Sequence, residues 1–267
     1  MQWTEQLGTL VGALLAPLAG GASLLRHGRV LHPSGVTYRA EMEPIEQEGS
    51  VGEVARRLSG AALVRLSSAL WKHREWTDVL GVAIRLRATE DPALVTSPQA
   101  APGDQDLLLA TIRRPWTMLL APWTTQQHDF LANDYYGVSP FEVDGYGRVE
   151  WRLVTSRPGR PETGLDRESR LERAVREGQA EMRLEMRPLG SEMEHRWLPV
   201  VRVRLVERVV LDQEALRFSP FLDGRGIRPY GFIHALRRAT YAASQAGRQL
   251  AERAEERRRA LHEVTQE

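Results

Sequence analysis

The chain has no cysteine. That excludes disulfide staples, zinc sites built on thiolates, thiolate-bound iron and cysteine nucleophiles, and it agrees with a reducing, cytoplasmic setting. Lysine is almost missing too: of the 36 basic residues only Lys72 is lysine. The formal net charge is +1, so no field of one sign points to nucleic acid as a partner. Long apolar runs are also absent. Leu10 to Leu25 is broken by Pro17, Gly20 and Gly21 and is too short for a bilayer span. Met1-Gln2-Trp3-Thr4-Glu5 lacks the basic start of a secretory leader, so this stretch is expected to be a helix packing on the body or on a partner. No glycine-rich phosphate loop precedes a helix, no H-E-x-x-H pair occurs and no internal repeat is evident, which removes nucleotide-binding, zincin and solenoid architectures.

What is present describes one globular domain: 267 residues, 42% hydrophobic and 27% charged. Val36, Tyr38, Ala40 and Met42 alternate with Thr37, Arg39 and Glu41, the period of a strand with one buried face. A short helix is expected near Val51 to Leu58. Strands are expected at Ala61–Ala69, Val79–Ala88, Asp106–Arg113, Gly147–Thr155, around Met182–Met186 and at Leu198–Val210. Trp116 to Leu131 is apolar and partly helical, Asn133 to Pro140 reads as a loop, and the charged stretch Arg157 to Gly178 reads as a surface excursion with a weak Leu171/Ala174/Val175 stripe. Seven or eight strands with few long helices before the C-terminus suit a closed antiparallel β-barrel or sandwich rather than βαβ units. The fold class expected is therefore α+β: an antiparallel barrel of about eight strands, surrounding helices and a long C-terminal helix.

Two constellations carry chemistry. Near the C-terminus, R-R-A-T-Y-A-A-S-Q-A-G-R runs from Arg237 to Arg248; on a helix, Arg237, Tyr241 and Arg248 lie at offsets of four and seven residues and share a face. A guanidinium bonded to a phenol favours the phenolate, an anionic ligand suited to iron(III). The same stripe is also what a solvated helix face with one packed aromatic looks like. Near the N-terminus, Arg29 stands three residues before His32 in R-V-L-H-P-S-G. An imidazole there could move a proton between two peroxide oxygens, and a loop histidine beside proline and glycine can equally be structural.

Together these segments resemble the haem catalases. R-x-x-x-Y followed seven residues later by arginine is similar to the proximal helix of that family, whose tyrosine ligation of haem iron is a known pattern. R-V-L-H-P-S-G resembles its distal R-x-x-H-x-x-G segment, and Gly81-Val82-Ala83-Ile84-Arg85 resembles the strand that supplies a further propionate arginine. Phe141–Leu153, Leu216–Phe221 and Arg228–Gly231 also resemble catalase-related segments, in the same order. The resemblance implies haem b (iron), with Tyr241 as metal ligand and Arg237 as its partner. It places Arg29, Arg85 and Arg248 on the propionates and His32 as distal acid/base. It further implies one catalase-like domain divided into an arm (1–28), a barrel with helical insertions (29–211), and a proximal segment with the C-terminal helix (212–267).

The sequence departs from the family at defined points. Aligning Asp106-Leu107-Leu108-Leu109-Ala110 with the catalase D-L-V-G-N run puts Thr111 at the distal asparagine, with Asn133 a second candidate. Arg87 falls where a serine supports the distal histidine, so a cation is expected beside an imidazole. His27, His73, His128, His195, His234 and His262 follow no metal-ligand spacing and read as structural or exposed, while Trp116 and Trp123 read as core or as pocket wall. The function implied is reduction of hydrogen peroxide or small organic hydroperoxides with an unidentified electron donor. The alternatives are rearrangement of a fatty-acid hydroperoxide, as in the allene oxide synthase relatives, and a silent haem-binding barrel; a homodimer through the end helices is also expected. The synthase branch carries threonine before the distal histidine, where this chain has Leu31.

Overall fold

The computed structural model describes residues 34–69, 75–114, 117, 120–137, 140–155, 164–190, 195–213 and 215–230. The helices expected at both ends, and the dimer contact expected through them, lie outside the described residues. The chain divides into two units, His32–Tyr230 and the two ends taken together, Met1–Leu31 with Gly231–Glu267. The barrel belongs to the first.

Ten strands form one antiparallel sheet: β1 (Ser34–Pro44), β2 (Gly60–Ser68), β3 (Leu80–Leu86), β4 (Gln105–Ala110), β5 (Tyr135–Gly137), β6 (Phe141–Val143), β7 (Gly147–Thr155), β8 (Glu181–Pro188), β9 (Leu198–Arg208) and β10 (Ile227–Pro229). Around the wall the order is β7-β5-β4-β3-β2-β1-β9-β8, and pairing of β8 with β7 closes an eight-stranded barrel. β6 extends β7 beyond β5, and β10 pairs with β6.

Closure follows from alternation. Val36, Tyr38, Ala40 and Met42 of β1 point inward as their spacing predicts, beside Leu66, Val64 and Ala62 of β2, and each remaining wall strand adds an apolar face to one continuous core. Register shifts at Arg39/Ala40 against β9 and at Leu184/Glu185 against β9 insert extra residues, which raise local twist and help a short-stranded sheet curl shut.

Four helices decorate the wall: α1 (Gly49–Arg57), α2 (Pro92–Val95), α3 (Ala121–Thr124) and α4 (Arg167–Arg176). In α1, Val54 and Ala55 reach the core, joined by Leu58 just beyond it. Its first turn needs Gly52, because a Cβ there would stand 2.0 Å from the Gln47 carbonyl oxygen. α4 starts where the Asp166 carboxylate accepts from the Ser169 N–H at 2.7 Å, and it buries Leu171 in the barrel core with Ala174 and Val175 against it.

Three expectations change. The charged stretch Arg157–Gly178 contains an anchored helix instead of a mere excursion, because one leucine stripe suffices to dock it. The loop expected at Asn133–Pro140 holds β5, which bridges β4 and β7 with only three residues. β4 ends at Ala110, short of Arg113. Leu171→Ala should cost about 2–5 kcal/mol by leaving a cavity under α4, measurable by urea denaturation; a loss below about 0.5 kcal/mol would mean that the helix does not support the barrel.

Candidate functional site

Of the residues proposed for catalysis or binding, Thr111 and Arg85 lie in the described structure; His32, Arg237, Arg29, Tyr241 and Arg248 lie outside it. Arg85 stands on the outer side of β3, and Thr111 follows β4 opposite Leu80. On these strands Leu80, Val82, Ile84, Leu86, Leu107 and Leu109 enter the core, so Gly81, Ala83, Arg85, Asp106, Leu108 and Ala110 face out.

Arg85 is fully buried and engaged by protein groups. Its Nε and one terminal nitrogen grip the two carboxylate oxygens of Asp106, each at 2.8 Å, in a fork with both side chains fully buried. Further donors reach the Pro98 carbonyl at 3.1 Å and the Arg217 carbonyl, and the guanidinium lies 4.9 Å from the centre of the Phe218 ring. Asp106 also accepts from the Ser219 N–H at 2.8 Å. Burial pushes the Asp106 carboxyl up, against the pull of Arg85. Through these contacts Arg85 and Asp106 hold the segment that carries Arg217 and Ser219.

Arg87 repeats this one step along the strand. It pairs with Asp104 at 2.8 Å and donates to the carbonyls of Val95, Ser97 and Gln99. The expected cation beside an imidazole is therefore a clamp on the 95–104 loop, with its charge met by a carboxylate. Burial alone would raise the Asp104 carboxyl, but the N–H groups of Ala101 and Ala88 and the Arg87 guanidinium outweigh it and hold it below the usual range.

Thr111 sits just past β4, where its Oγ1 accepts from the Leu80 N–H at 3.2 Å and lies 2.7 Å from Thr125 Oγ1. Thr125 Oγ1 is also 2.8 Å from the Ala121 carbonyl. A hydroxyl has one proton, so the set is satisfied when Thr125 donates to Ala121 and Thr111 donates to Thr125. In that arrangement Thr111 has no donor left for a peroxide. Asn133 is likewise occupied: its side chain accepts from the Gln126 N–H and donates to the carbonyls of Gln126 and Asp129, closing its own loop. Trp123 is neither core nor wall, being 75% exposed, and Trp116 lies outside the described residues. His128 is exposed against Glu75 and His195 is exposed. Among the described residues no cluster of three or more metal-ligating side chains occurs.

On the outer face of β1 to β4 small residues and a buried arginine are neighbours, with the Arg65 guanidinium lying over Gly35. Gly35, Ser67, Gly81 and Ala110 fall in one cross-strand row with no bulky side chain, and the adjacent row is Thr37, Arg65, Ala83 and Leu108. Arg65 is buried there and donates to Gln213 Oε1 at 2.9 Å, while Gln213 in turn donates to Thr37 Oγ1 at 3.3 Å. Sequence reasoning missed Arg65, although an arginine inside the apolar run A-A-L-V-R-L-S-S was a visible signal. It also missed Gln105, whose fully buried amide donates to the Leu222 and Ile227 carbonyls and accepts from the N–H groups of Arg225 and Ile227.

Tyrosines can be sorted by their surroundings. Burial pushes the Tyr38 phenol up to about 12 despite the attraction of Arg208, and burial also raises Tyr135, Tyr136 and Tyr146. None of these four is poised to be a phenolate.

The fold is similar to that of solved catalases. A fungal catalase is similar at a TM-score of 0.55 with 13% identity, over 83% of this chain and 59% of that one. Catalase A from Saccharomyces cerevisiae is similar at 0.55 with 11% identity, over 83% and 60%. The fold is catalase-like. This chain spans about three fifths of those catalases' length. No protein-family model matches the chain, and no curated protein matches it in sequence.

Asp104→Asn should cost about 3–5 kcal/mol at neutral pH, since it strands the buried Arg87 charge. The carboxylate's contribution is present above the ~3.9 of an unfolded aspartate and is lost as pH falls through its lower folded value. Denaturation midpoints should therefore differ most between the two proteins near neutrality and converge in acid; equal midpoints at pH 7 would remove the clamp from the account.

Proposed function

We propose that this chain is a haem-dependent oxidoreductase that reduces hydrogen peroxide or small organic hydroperoxides with electrons from an unidentified donor. One observation carries the proposal: the likeness of the closed barrel to catalases over 83% of the chain, with the distal-type and proximal-type motifs in family order at its two ends. Haem b supplies the redox chemistry. Tyr241 holds the iron, with Arg237 hydrogen-bonding its phenol oxygen and favouring the anion. Arg29 and Arg248 meet the propionates. His32 takes a proton from one peroxide oxygen and returns it to the other.

Two features support this assignment of parts. Tyr241 has arginines at offsets of four and seven residues, and burial raises the phenols of Tyr38, Tyr135, Tyr136 and Tyr146 away from the phenolate form. The row Gly35–Ser67–Gly81–Ala110 carries no side chain larger than serine, and the buried Arg65 belongs to the adjacent row of the same face.

A second reading is a haem-binding barrel without turnover, favoured by the Thr111 hydroxyl, which is already engaged by the Leu80 N–H and by Thr125 Oγ1. The two readings separate in one experiment. Protein from cells supplied with haem precursor should show a Soret band, and Tyr241→Phe should lose most of it. His32→Ala should keep the band and lose peroxide turnover. A Soret band with no turnover in the parent protein selects the silent barrel, whereas colourless protein that also fails to take up haemin removes the cofactor altogether.

A further inference from the structure

One fully buried phenol is left unbonded by the fold. Tyr38 of β1 points into the core, and its hydroxyl meets no protein donor or acceptor. Tyr135 shows the ordinary arrangement: it is equally buried, and its hydroxyl donates to the Phe130 carbonyl at 2.7 Å. A desolvated hydroxyl without a partner carries a free-energy cost that contact with water removes.

The phenol lies towards α4. Tyr38 is the direct cross-strand partner of Arg208 on β9, and Arg208 reaches the α4 carboxylates of Glu168 and Glu172 at 3.7 and 3.5 Å. Besides burial, the charges that act on the phenol are those of Arg208, Glu172 and Glu168. Leu171 of α4 belongs to the same core cluster as Tyr38.

The two ends of α4 are held unequally. At the first turn Glu75 accepts from the Arg167 N–H, and the buried Arg167 side chain donates to the Gln127 carbonyl at 3.2 Å while lying over the Phe130 ring. From Leu171 onward the ties are weaker. Leu171 is the only fully buried side chain there, with Ala174 and Val175 partly buried beside it. The Glu172–Arg208 and Arg173–Glu177 pairs are more than two-fifths exposed, where ion pairs contribute little. Beyond the helix Gly178 turns the chain at a positive φ of 67°, with nothing within 4 Å of the place a Cβ would take.

We propose that α4 is a lid on the barrel, anchored at its first turn and poised to lift from Leu171 onward, and that the unbonded Tyr38 hydroxyl lowers the cost of lifting it. With the lid down the hydroxyl is desolvated and unpartnered; with the lid raised, water reaches and bonds it. Its cost therefore falls on the closed form alone, while burial of Leu171 favours closure. The device has a defined direction: removing the hydroxyl holds the lid shut. It does not depend on haem.

The test is amide hydrogen exchange of the full chain, read on peptides covering residues 171–177, on β1 and β2, and on α1. In the parent protein the α4 amides should exchange faster than the strand amides, through an opening short of global unfolding. Tyr38→Phe should slow exchange in α4 by about fivefold to thirtyfold and leave α1 unchanged. Leu171→Ala should speed it, and Tyr135→Phe, which takes a bonded hydroxyl from another place, should not slow it. The proposal falls if α4 in the parent exchanges only together with the strands, or if Tyr38→Phe leaves α4 exchanging as fast as the parent or faster.

Discussion

Two guanidinium–carboxylate pairs, Arg85–Asp106 and Arg87–Asp104, hold the irregular parts of this protein to its regular part. Both stand on the outer side of β3 and β4, where side chains would otherwise meet water. Desolvating four charges is costly, and such pairs persist only when geometry is tight and remaining donors are used. Here they are: Arg85 adds the Pro98 and Arg217 carbonyls, and Arg87 adds three carbonyls of the 95–99 loop. Each arginine thus organises backbone that has no ladder of its own.

This use of arginine bears directly on function. In a chain with one lysine, the cations of the fold are guanidinium groups almost throughout, and residue type alone does not tell a structural arginine from one that would meet a ligand. Arg85 looks like a ligand for an acid in sequence because it follows a catalase-like strand; in the fold, the acid it binds is Asp106, its direct partner across the sheet. Arg65, on the neighbouring strand, faces the row of small residues instead.

Much of the barrel was legible because strand alternation is a local signal. The β1 pattern, the helix at 49–57 and the alternation of Met182, Leu184 and Met186 all follow from spacing. β5 was not legible, since three residues between turn formers carry no period. The engagements of Thr111 and Asn133 were hidden for another reason: both depend on where a non-repeating loop places Thr125 and Gln126. The Arg85–Asp106 pairing was recoverable in principle, because two adjacent antiparallel strands each carrying one charge on the outward face invite a cross-strand pair once register is known.

The return of the chain at residues 217–227 ties the beginning of the fold to its end. Arg85 and Asp106 wait for Arg217 and Ser219, more than a hundred residues later, and Gln105 waits for Leu222 and Ile227. Gly224 completes the crossing by passing so close to Gly103 that an added Cβ would meet its carbonyl oxygen at 2.2 Å. During synthesis, therefore, β3 and β4 emerge from the ribosome with buried-type charges and a buried-type amide still unsatisfied. The first half of the barrel is completed only when most of the chain has been made, and contacts of such long sequence separation are of the kind that form late in folding.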